Sequence, residues 1–396
     1  MKILHTSDWH LGHTLYNFDR TEEQFSMLQQ IEDIVSKEQP DVFLLCGDVY
    51  HTSQPSASIQ TLFTNALFHI HHACPDMTII VTAGNHDSGT KHEIFKTPWK
   101  AMNVYTIGSL EKDSPDEHII NIPDKGYIIA VPYIYERSIP QGFFQLLIDK
   151  VVEQNSKGLP IIMSAHTTVS GCDFTGHENA SEYTVGGIDS YNLEEMGKGY
   201  DYLALGHIHH AQFIHGSDKK VRYCGSPLPV SFDETFEHSI SMVELERHGD
   251  NPVVTTIPIQ NIHPLVSLPS EGMAEWEEVK KLLTNFPSDI AAYIRLNVEV
   301  KDFLPHESRS EALAITEKKA ARFCYINAKR RPQESSLERN MTIAEFQTQQ
   351  PIDIARQFVE DSGMTFNDEL KEMFQEVERI VIQNERNDEH NNDTTI

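Results

Sequence analysis

Short apolar runs, separated by amphipathic stretches, are the feature that most limits what the first 245 or so residues of this chain can fold into. Each run has the length and composition of a buried β-strand. The runs are residues 3–6, 42–46, 78–82, 127–131, 160–165 and 202–205. Because strands that alternate with helical segments are typical of α/β or layered α+β domains, we predict that fold class.

Two of the amphipathic stretches predict helices that pack on the sheet. Residues 21–24 read Thr-Glu-Glu-Gln, which fits a capping box, and apolar residues then repeat at near-helical spacing until Pro40. These apolar residues are Phe25, Leu28, Ile31 and Val35. A second helix is predicted over residues 56–72, with its apolar side formed by Ile59, Leu62, Phe63, Ala66 and Leu67.

A change of composition over residues 246–265 indicates a domain boundary, so we expect domains at residues 1–250 and 265–340. In the second domain we predict helices over residues 276–283 and 310–319 and strands over residues 293–300 and 323–328. Within a C-terminal helical segment, 341–383, a helix over residues 367–383 carries an apolar stripe that packs either on a partner or on the second domain. Residues 384–396 are polar and predict a disordered tail.

Composition excludes several classes of protein. No apolar run approaches the roughly 18 to 20 residues of a membrane-spanning helix, and the apolar start is too short for a signal peptide, so we expect a cytoplasmic protein without membrane contact. The five cysteines stand far apart, which argues against a disulfide framework or a zinc ribbon. A net charge of −27 argues against a broadly basic nucleic-acid-binding surface.

A short polar cluster directly follows each of five apolar runs. The clusters are Asp8-Trp9-His10, Gly47-Asp48, Gly84-Asn85-His86-Asp87, His166 and Gly206-His207-Ile208-His209. Ligands gather where the strands of open sheets end, on loops held by a rigid scaffold. Asp8 and His10 stand two apart on an extended segment and therefore point to the same side, as do His207 and His209. Each of these pairs predicts a metal clamp.

Seven of these side chains offer nitrogen or oxygen donors, and none offers a thiolate. They are Asp8, His10, Asp48, Asn85, His166, His207 and His209. This donor set suits Mn²⁺ or a similar divalent ion rather than structural zinc. Because seven donors are too many for one ion, we predict two ions about 3.5 to 4 Å apart with Asp48 bridging them. The chain has 21 histidines, so the prediction depends on the five clusters occurring together.

The same series of motifs resembles the signature of calcineurin-like metallophosphoesterases. The resemblance implies a two-sheet sandwich flanked by helices, with a smaller α/β capping domain and C-terminal helices. Two further stretches resemble the nuclease subunits of SbcCD-type complexes: the opening MKILHTSDWHLGHTL and residues 223–234, YCGSPLPVSFDE. The likeness is strong over residues 1–245 and weaker beyond them. One departure is His51, at a position where relatives commonly carry an acidic residue.

The resemblance also implies a role for each polar residue. Asp8, His10, Asp48 and His209 are implied to hold one ion, and Asp48, Asn85, His166 and His207 the other. His86 is implied to be catalytic, either protonating the leaving oxygen or stabilising the pentacovalent phosphorus. Asp87, the second catalytic candidate, either orients His86 or Asn85 or only caps its loop. Metal binding needs neutral imidazoles and ionised carboxylates, so it should weaken as the pH falls.

The implied activity is that of a two-metal-dependent DNA nuclease subunit in DNA repair, recombination and replication. It would act as a double-strand 3′–5′ exonuclease and as a hairpin or single-strand endonuclease. The implied partners are an SbcC-type coiled-coil ATPase, double-stranded DNA ends and hairpins, and a second copy of the chain within a heterotetramer. Residues 1–250 would then be the nuclease domain, residues 265–340 a DNA-contacting capping domain and residues 341–383 the partner-binding segment.

Several alternatives stay open at the level of sequence. The second domain has a basic cluster that either touches phosphates or is a solvated charged face: Lys318, Lys319, Arg322, Lys329, Arg330 and Arg331. The same metal site would serve a small-molecule phosphodiesterase or a protein phosphatase, because a site fixes reaction class more firmly than substrate. A non-enzymatic scaffold is disfavoured by the complete donor set. The helix over residues 56–72 is one candidate surface for dimerisation.

Overall fold

A computed structural model describes residues 1–134, 139–176 and 190–331 of the chain, together with eight positions beyond residue 350. These positions are Ile352, Arg356, Phe366, Asn367, Leu370, Lys371, Met373 and Phe374. The chain divides into two units, Met1–Arg331 and Pro332–Ile396. Most of the C-terminal segment predicted over residues 341–383, including most of its helix, and all of the tail over residues 384–396 lie outside the described residues.

The strands and helices are named in chain order. The strands are β1 (Lys2–Thr6), β2 (Val42–Cys46), β3 (Thr78–Thr82), β4 (Val104–Ile107), β5 (Ile119–Ile122), β6 (Gly126–Ala130), β7 (Ile161–His166), β8 (Thr168–Val169), β9 (Ser190–Tyr191), β10 (Tyr202–Gly206), β11 (Gln212–Phe213), β12 (Val221–Tyr223), β13 (Ser239–Glu244), β14 (Val253–Pro258), β15 (Leu265–Leu268), β16 (Tyr293–Val300) and β17 (Arg322–Arg330). The helices are α1 (Thr21–Glu38), α2 (Ala57–Ala73), α3 (Gly89–Ile94), α4 (Lys96–Lys100), α5 (Phe143–Gln154), α6 (Trp276–Asn285) and α7 (Ser308–Thr316), with a 3₁₀ helix at Pro115–His118.

Two six-stranded sheets form the centre of the first unit. The first has the order β14-β13-β1-β2-β3-β4, in which β1 to β4 are parallel and β13 is antiparallel to β1. The second has the order β11-β12-β10-β7-β6-β5, in which the four inner strands are parallel. The parallel strands of each sheet therefore end at a common edge, where the loops that follow them lie side by side.

The side chains of successive strand residues pack in different apolar layers, because they face opposite sides of the sheet. Ile3 and Leu44 pack between the two sheets, against Ile162 and Ala204 of the second sheet. Leu4, one position after Ile3, packs instead on the side covered by α1 and α2. Helix α5 covers the outer face of the second sheet. The layers run helix, sheet, sheet, helix, which confirms the predicted layered α/β class.

Helix α1 begins at Thr21, but the predicted capping box is wrong. Arg20 occupies the N-cap position without a side-chain cap, and the carboxylate of Asp19 accepts a hydrogen bond from the Thr21 N–H at 3.0 Å. Gln24, which would complete the box, accepts a hydrogen bond from the Gly12 N–H at 3.0 Å instead. A contact with the loop after β1 has therefore displaced the local capping pattern.

The predicted apolar stripe of α1 is correct at three of its four residues. Leu28, Ile31 and Val35 are buried, whereas Phe25 is 51% exposed. In α2, Phe63, Ala66 and Leu67 are buried, and Ile59 and Leu62 pack partly buried against the same core. Both helices thus cover the first sheet. Among the residues that the structure describes, no helix has the length and apolar character needed to cross a bilayer.

A third sheet, called here the small sheet, consists of the parallel strands β15, β16 and β17. Helices α6 and α7 cover one of its faces, where Trp276, Val279 and Ala312 are buried. Its other face contributes Tyr293 and Cys324 to a separate cluster with Leu15 and Phe232. The predicted helices and strands of this region are present, and β15 is an addition to them. Strand β14 lies beyond residue 250, the predicted end of the first domain, but it pairs with β13 in the first sheet.

Candidate metal centre

The polar clusters lie together where parallel strands of both sheets end. Asp8 follows β1, Asp48 follows β2 and Asn85 follows β3 in the first sheet, whereas His166 ends β7 and His207 follows β10 in the second. Strand β2 contacts both β7 and β10 across the sandwich. All seven predicted donors therefore occupy neighbouring positions at one edge of the fold.

One group of potential ligands consists of Asp8, His10 and His209, which are buried and whose donor atoms lie within 4.8 Å of one another. The Nε2 atoms of His10 and His209 are 3.1 Å apart. The carboxylate of Asp8 accepts hydrogen bonds from the Ser7 hydroxyl at 2.5 Å and from the His207 N–H at 3.1 Å. These bonds fix the carboxylate beside the two imidazoles, in a group that we call the first subsite.

A second group consists of Asp48, His166 and His207, again with donor atoms within 4.8 Å of one another. Asn85 belongs with them, because its Oδ1 atom lies 3.0 Å from His166 Nε2 and 3.0 Å from His207 Nδ1. These four residues form the second subsite. The two subsites together contain the seven donors that the sequence predicted.

Asp48 lies between the two subsites. Its Oδ2 atom is 3.7 Å from His10 Nε2 and 3.4 Å from His166 Nε2. Its other oxygen accepts a hydrogen bond from the His86 N–H at 2.9 Å. One carboxylate oxygen thus faces a donor of each subsite, which is the arrangement expected of a ligand that bridges two ions.

Two imidazoles are oriented by hydrogen bonds made behind the site. The Nδ1–H of His166 donates to the carbonyl oxygen of Cys46 at 2.7 Å, and the Nδ1–H of His209 donates to the Glu234 carboxylate at 2.8 Å. Each bond turns the ring so that its Nε2 atom faces the site, as in known carboxylate–histidine–metal arrangements. Neither subsite includes a cysteine. The donors therefore fit two divalent ions that prefer nitrogen and oxygen.

The charges of the buried centre also favour cations. Burial raises the pKa of Asp8. Burial opposes protonation of His166, but the carboxylate of Asp48 outweighs it and raises the pKa of His166 to about 9. Glu234 outweighs burial in the same way and raises the pKa of His209. The raised pKa values favour positive charge on these two imidazoles, and bound cations would supply that charge instead.

The backbone is strained at four of the seven predicted ligands. Asp8, His10, Asp48 and His207 have φ angles of 53°, 43°, 49° and 97°, in the region that residues with a side chain rarely adopt. Such conformations persist only where the surrounding structure enforces them, and they concentrate at functional sites.

Glycines permit the close approach of the strand ends. A Cβ atom on Gly84 would lie 2.0 Å from Asp48 Oδ1, and one on Gly206 would lie 1.9 Å from the carbonyl oxygen of Cys46. Since heavy atoms do not approach so closely, any larger residue would separate the loops that carry the ligands. The glycines in the predicted Gly-Asn-His-Asp and Gly-His-Ile-His motifs thus have a steric role.

His86 lies against the first subsite. Its ring centroid is 4.9 Å from that of His10, and its Nδ1–H donates to the carbonyl oxygen of His51 at 2.9 Å. His10, His51 and His86 form a third group whose donor atoms lie within 4.8 Å of one another. The sequence-based prediction did not count His51 among the ligands and named it only as a departure from its relatives, which commonly carry an acidic residue there. The structure nevertheless places it at the site.

The Asp87 carboxylate contacts the backbone of its neighbourhood. It accepts hydrogen bonds from the N–H groups of Gly84, Val49 and Tyr50 at 2.8, 3.1 and 2.9 Å. His92 lies on its other side, with Nε2 3.6 Å from Oδ2. Of the two roles considered for Asp87, these contacts favour holding the loops after β2 and β3 together.

The fold and the site together define a metal-dependent phosphoesterase. The family described as calcineurin-like phosphoesterase matches residues 1–211, more than half of the chain, and the chain belongs to that family.

The chain is also similar to three bacterial proteins that are named as the SbcD component of the nuclease SbcCD. The protein from Rhodobacter capsulatus is 28% identical over 309 residues, which cover 70% of this chain and 74% of the relative. The Escherichia coli K12 protein is 24% identical over 364 residues, covering 85% and 87%. The Bacillus subtilis protein is 28% identical over 334 residues, covering 78% and 81%. These matches confirm the resemblance that the motifs indicated.

Proposed function

We propose that this chain is a two-metal-dependent DNA nuclease subunit that acts with an SbcC-type coiled-coil ATPase. The observation that carries the proposal is the pair of subsites joined by Asp48, in a chain similar over most of its length to proteins named as SbcD components of the nuclease SbcCD. Its substrates are double-stranded DNA ends and hairpins. It acts as a double-strand 3′–5′ exonuclease and as a hairpin or single-strand endonuclease, in DNA repair, recombination and replication.

Each subsite holds one divalent ion in this proposal. Asp8, His10, Asp48 and His209 hold the first, and Asp48, Asn85, His166 and His207 hold the second. Mn²⁺ is the proposed ion, because a mixture of imidazole, carboxylate and amide donors without thiolate suits it better than structural zinc. When bound, the ions supply positive charge for the phosphoryl oxygens and lower the pKa of an attacking water.

His86 is the proposed catalytic residue of the protein itself. Its Nδ1–H is engaged with the His51 carbonyl, so Nε2 is the nitrogen that faces the reacting groups. We propose that His86 either gives a proton at Nε2 to the leaving oxygen as the phosphodiester breaks or, keeping that proton, stabilises the pentacovalent phosphorus. A well-placed general acid of this kind contributes about 10²- to 10⁴-fold to the rate.

Asp87 acts as a positioning residue rather than as an acid or base. Its hydrogen bonds to the N–H groups of Val49 and Tyr50 tie the loop after β2 to the loop that carries Asn85 and His86. Burial opposes ionisation of Asp87, but the charge of nearby His92 and the hydrogen bonds from the backbone N–H groups outweigh it and lower the pKa of Asp87, which favours the ionised carboxylate that accepts these bonds.

The small sheet is proposed to contact DNA through part of the predicted basic cluster. Three residues of the predicted basic cluster form hydrogen bonds or an ion pair within this chain, and the Arg330 guanidinium lies 5.7 Å from the centroid of the exposed Phe303 ring. Lys319 donates to the Phe286 carbonyl, Arg322 donates to Tyr293 at 2.8 Å and Arg331 pairs with Glu299 at 2.7 Å. Lys318, Lys329 and Arg330 are exposed and are the proposed phosphate contacts.

A homodimer is proposed through the face of α2 that adjoins α3 and α4. Ile94 and Phe95 are 64% and 51% exposed there. They border a groove of about 430 Å³ that is also lined by Ala57, Phe63 and Trp99. Apolar side chains so exposed around one groove are typical of an interaction surface. The ATPase is proposed to dock on residues 341–383, and truncation before Thr365 should then abolish its binding while residues 1–331 keep their fold.

A small-molecule phosphodiesterase is the second candidate. The observation that favours it is charge. The chain carries a net charge of −27, and three of the six residues in its basic cluster, Lys319, Arg322 and Arg331, already form hydrogen bonds or an ion pair within the chain. A strongly acidic protein repels the DNA backbone unless ions or a partner supply positive charge. The same two subsites would hydrolyse a small phosphodiester without that requirement.

The test is Mn²⁺-dependent cleavage of an end-labelled hairpin duplex, with and without an SbcC-type ATPase and ATP, beside a chromogenic phosphodiester. Asp48→Ala serves as the blank, because it removes the bridging ligand. Duplex cleavage that the ATPase stimulates and Asp48→Ala abolishes would support the nuclease. Hydrolysis of the small diester alone would favour the second candidate.

A further inference from the structure

Glu234 lies directly behind the first subsite and is almost completely buried. One oxygen of its carboxylate accepts the Nδ1–H of His209 at 2.8 Å, and the other accepts the Val230 N–H at 3.0 Å. Only 1% of its side chain is exposed. The carboxylate thus fixes which nitrogen of His209 carries the proton and how the ring is turned, and both decide whether Nε2 can bind a cation.

The two residues before Glu234 contact the small sheet. Asp233 pairs with Arg295 of β16 at 2.6 Å, and the Arg295 Nε–H donates to Ser267 of β15 at 3.0 Å. The Phe232 ring lies under the same guanidinium at 5.3 Å and packs edge-on against Tyr325 of β17 at 5.9 Å. Consecutive side chains therefore contact β16 and β17, and Arg295 connects them to β15.

The backbone of this segment forms a tight turn. The Glu234 N–H donates to the Ser231 carbonyl at 3.3 Å, and the Thr235 N–H donates to the Asp233 carbonyl at 3.1 Å. The Asp233 N–H donates to the Ser231 hydroxyl at 3.1 Å. Three short-range hydrogen bonds thus hold the segment in one conformation, and a continuous series of contacts joins Arg295 to Asp233, Glu234 and His209.

We propose that Phe232–Asp233–Glu234 is a positioning element that couples the small sheet to the first metal subsite. The position of the small sheet sets the affinity of that subsite through Arg295, Asp233, Glu234 and His209 in turn, whereas it reaches the second subsite only indirectly, through the shared Asp48 and the contact between Asp8 and His207. The inference rests on the proposed function only in that the subsites bind divalent ions. Any partner or DNA that shifts the small sheet would thereby regulate one of the two metals.

The experiment measures Mn²⁺ binding to the full chain by calorimetry and by electron paramagnetic resonance, which distinguishes a coupled ion pair from a single ion. Glu234→Gln should weaken one of two sites by about 10- to 100-fold, the usual effect of losing a partner of a metal-bound histidine. Arg295→Asp should weaken the same site by about 5-fold or more. Adding Asp233→Arg to Arg295→Asp re-forms the ion pair and should restore it.

Asp201→Asn is the matched control. Asp201 is also a buried carboxylate that pairs with a histidine, His248 at 3.0 Å, but it lies at the opposite ends of β7 and β10. Asp201→Asn should leave both sites unchanged. The coupling is overturned if Arg295→Asp leaves Mn²⁺ binding unchanged, or if Glu234→Gln weakens both sites equally. Arg295→Asp decides alone if Glu234→Gln does not fold, since Asp233 and Arg295 are partly exposed.

The failure of the coupling and the failure of the proposed function give different results. A wild-type chain that binds two ions and cleaves DNA, with variants that bind as the wild type does, would overturn the coupling alone. A wild-type chain that binds no Mn²⁺ would overturn both.

Discussion

Binding of Mn²⁺ should release protons, and its affinity should rise steeply with pH. In the metal-free chain Asp48 raises the pKa of His166 to about 9, against the opposing effect of burial. At pH 7 only about one molecule in 100 then has a neutral His166, so proton competition lowers the apparent affinity of the second subsite by about 100-fold, or roughly 3 kcal/mol. As the pH is raised toward 9, the affinity of the second subsite should increase about 10-fold with each pH unit.

The first subsite should show the same sign of pH dependence. Burial lowers the pKa of His209, but Glu234 outweighs it and raises that pKa, so protons compete with an ion for Nε2 up to a higher pH than at an ordinary imidazole. Protonation increases as the pH falls, and affinity is therefore lost in the acidic direction at both subsites.

Calorimetric titration between about pH 6.5 and 8, in two buffers of different ionisation enthalpy, measures both the affinity and the number of protons released. We expect at least one proton for each pair of ions bound. Asp48→Asn is the informative variant, since without its carboxylate His166 should lose most of its raised pKa and release fewer protons. A dissociation constant that is independent of pH, with no proton release, would refute this account of the buried charges.

Three further predictions concern single substitutions. His86→Gln should lower kcat by about 10²- to 10⁴-fold while two Mn²⁺ ions still bind, and a loss of bound metal instead would make His86 a ligand. Asp87→Asn should lower the free energy of unfolding by about 1 to 3 kcal/mol in chemical denaturation, because its carboxylate accepts three buried backbone hydrogen bonds, and unchanged stability would argue against a loop-holding role. Ile94→Asp should convert a dimer to a monomer in light scattering, and a persistent dimer would place the interface elsewhere.

The strands that carry ligands could be predicted because each is buried on both faces and therefore appears as a continuous apolar run. Strands β2 and β3 have the predicted bounds, and every residue of each is buried. Strand β14 was not predicted, because it lies at a sheet edge, where most of its residues are exposed and its sequence includes two threonines and a proline. Local pattern carries little information about such a strand.

The capping box of α1 shows a different limit of sequence reasoning. Its residues have the right spacing, but Gln24 contacts Gly12 of the loop after β1, which the sequence places twelve positions away. A tertiary contact has replaced the local one.

The metal ligands could be proposed from sequence because they share a visible rule: hard donors directly after buried strands. Glu234 and His51 do not follow that rule. Glu234 stands in a turn that follows no ligand-bearing strand, and only the folded chain brings it behind His209. The motif YCGSPLPVSFDE marked this segment as similar to the nuclease subunits, but the sequence did not indicate what its glutamate contacts.

The most direct test of the two-metal account is anomalous diffraction from crystals of the chain grown with Mn²⁺. The account predicts two anomalous peaks bridged by Asp48, one bound by Asp8, His10 and His209 and the other by Asn85, His166 and His207. A single peak, or two peaks that do not share Asp48, would contradict it.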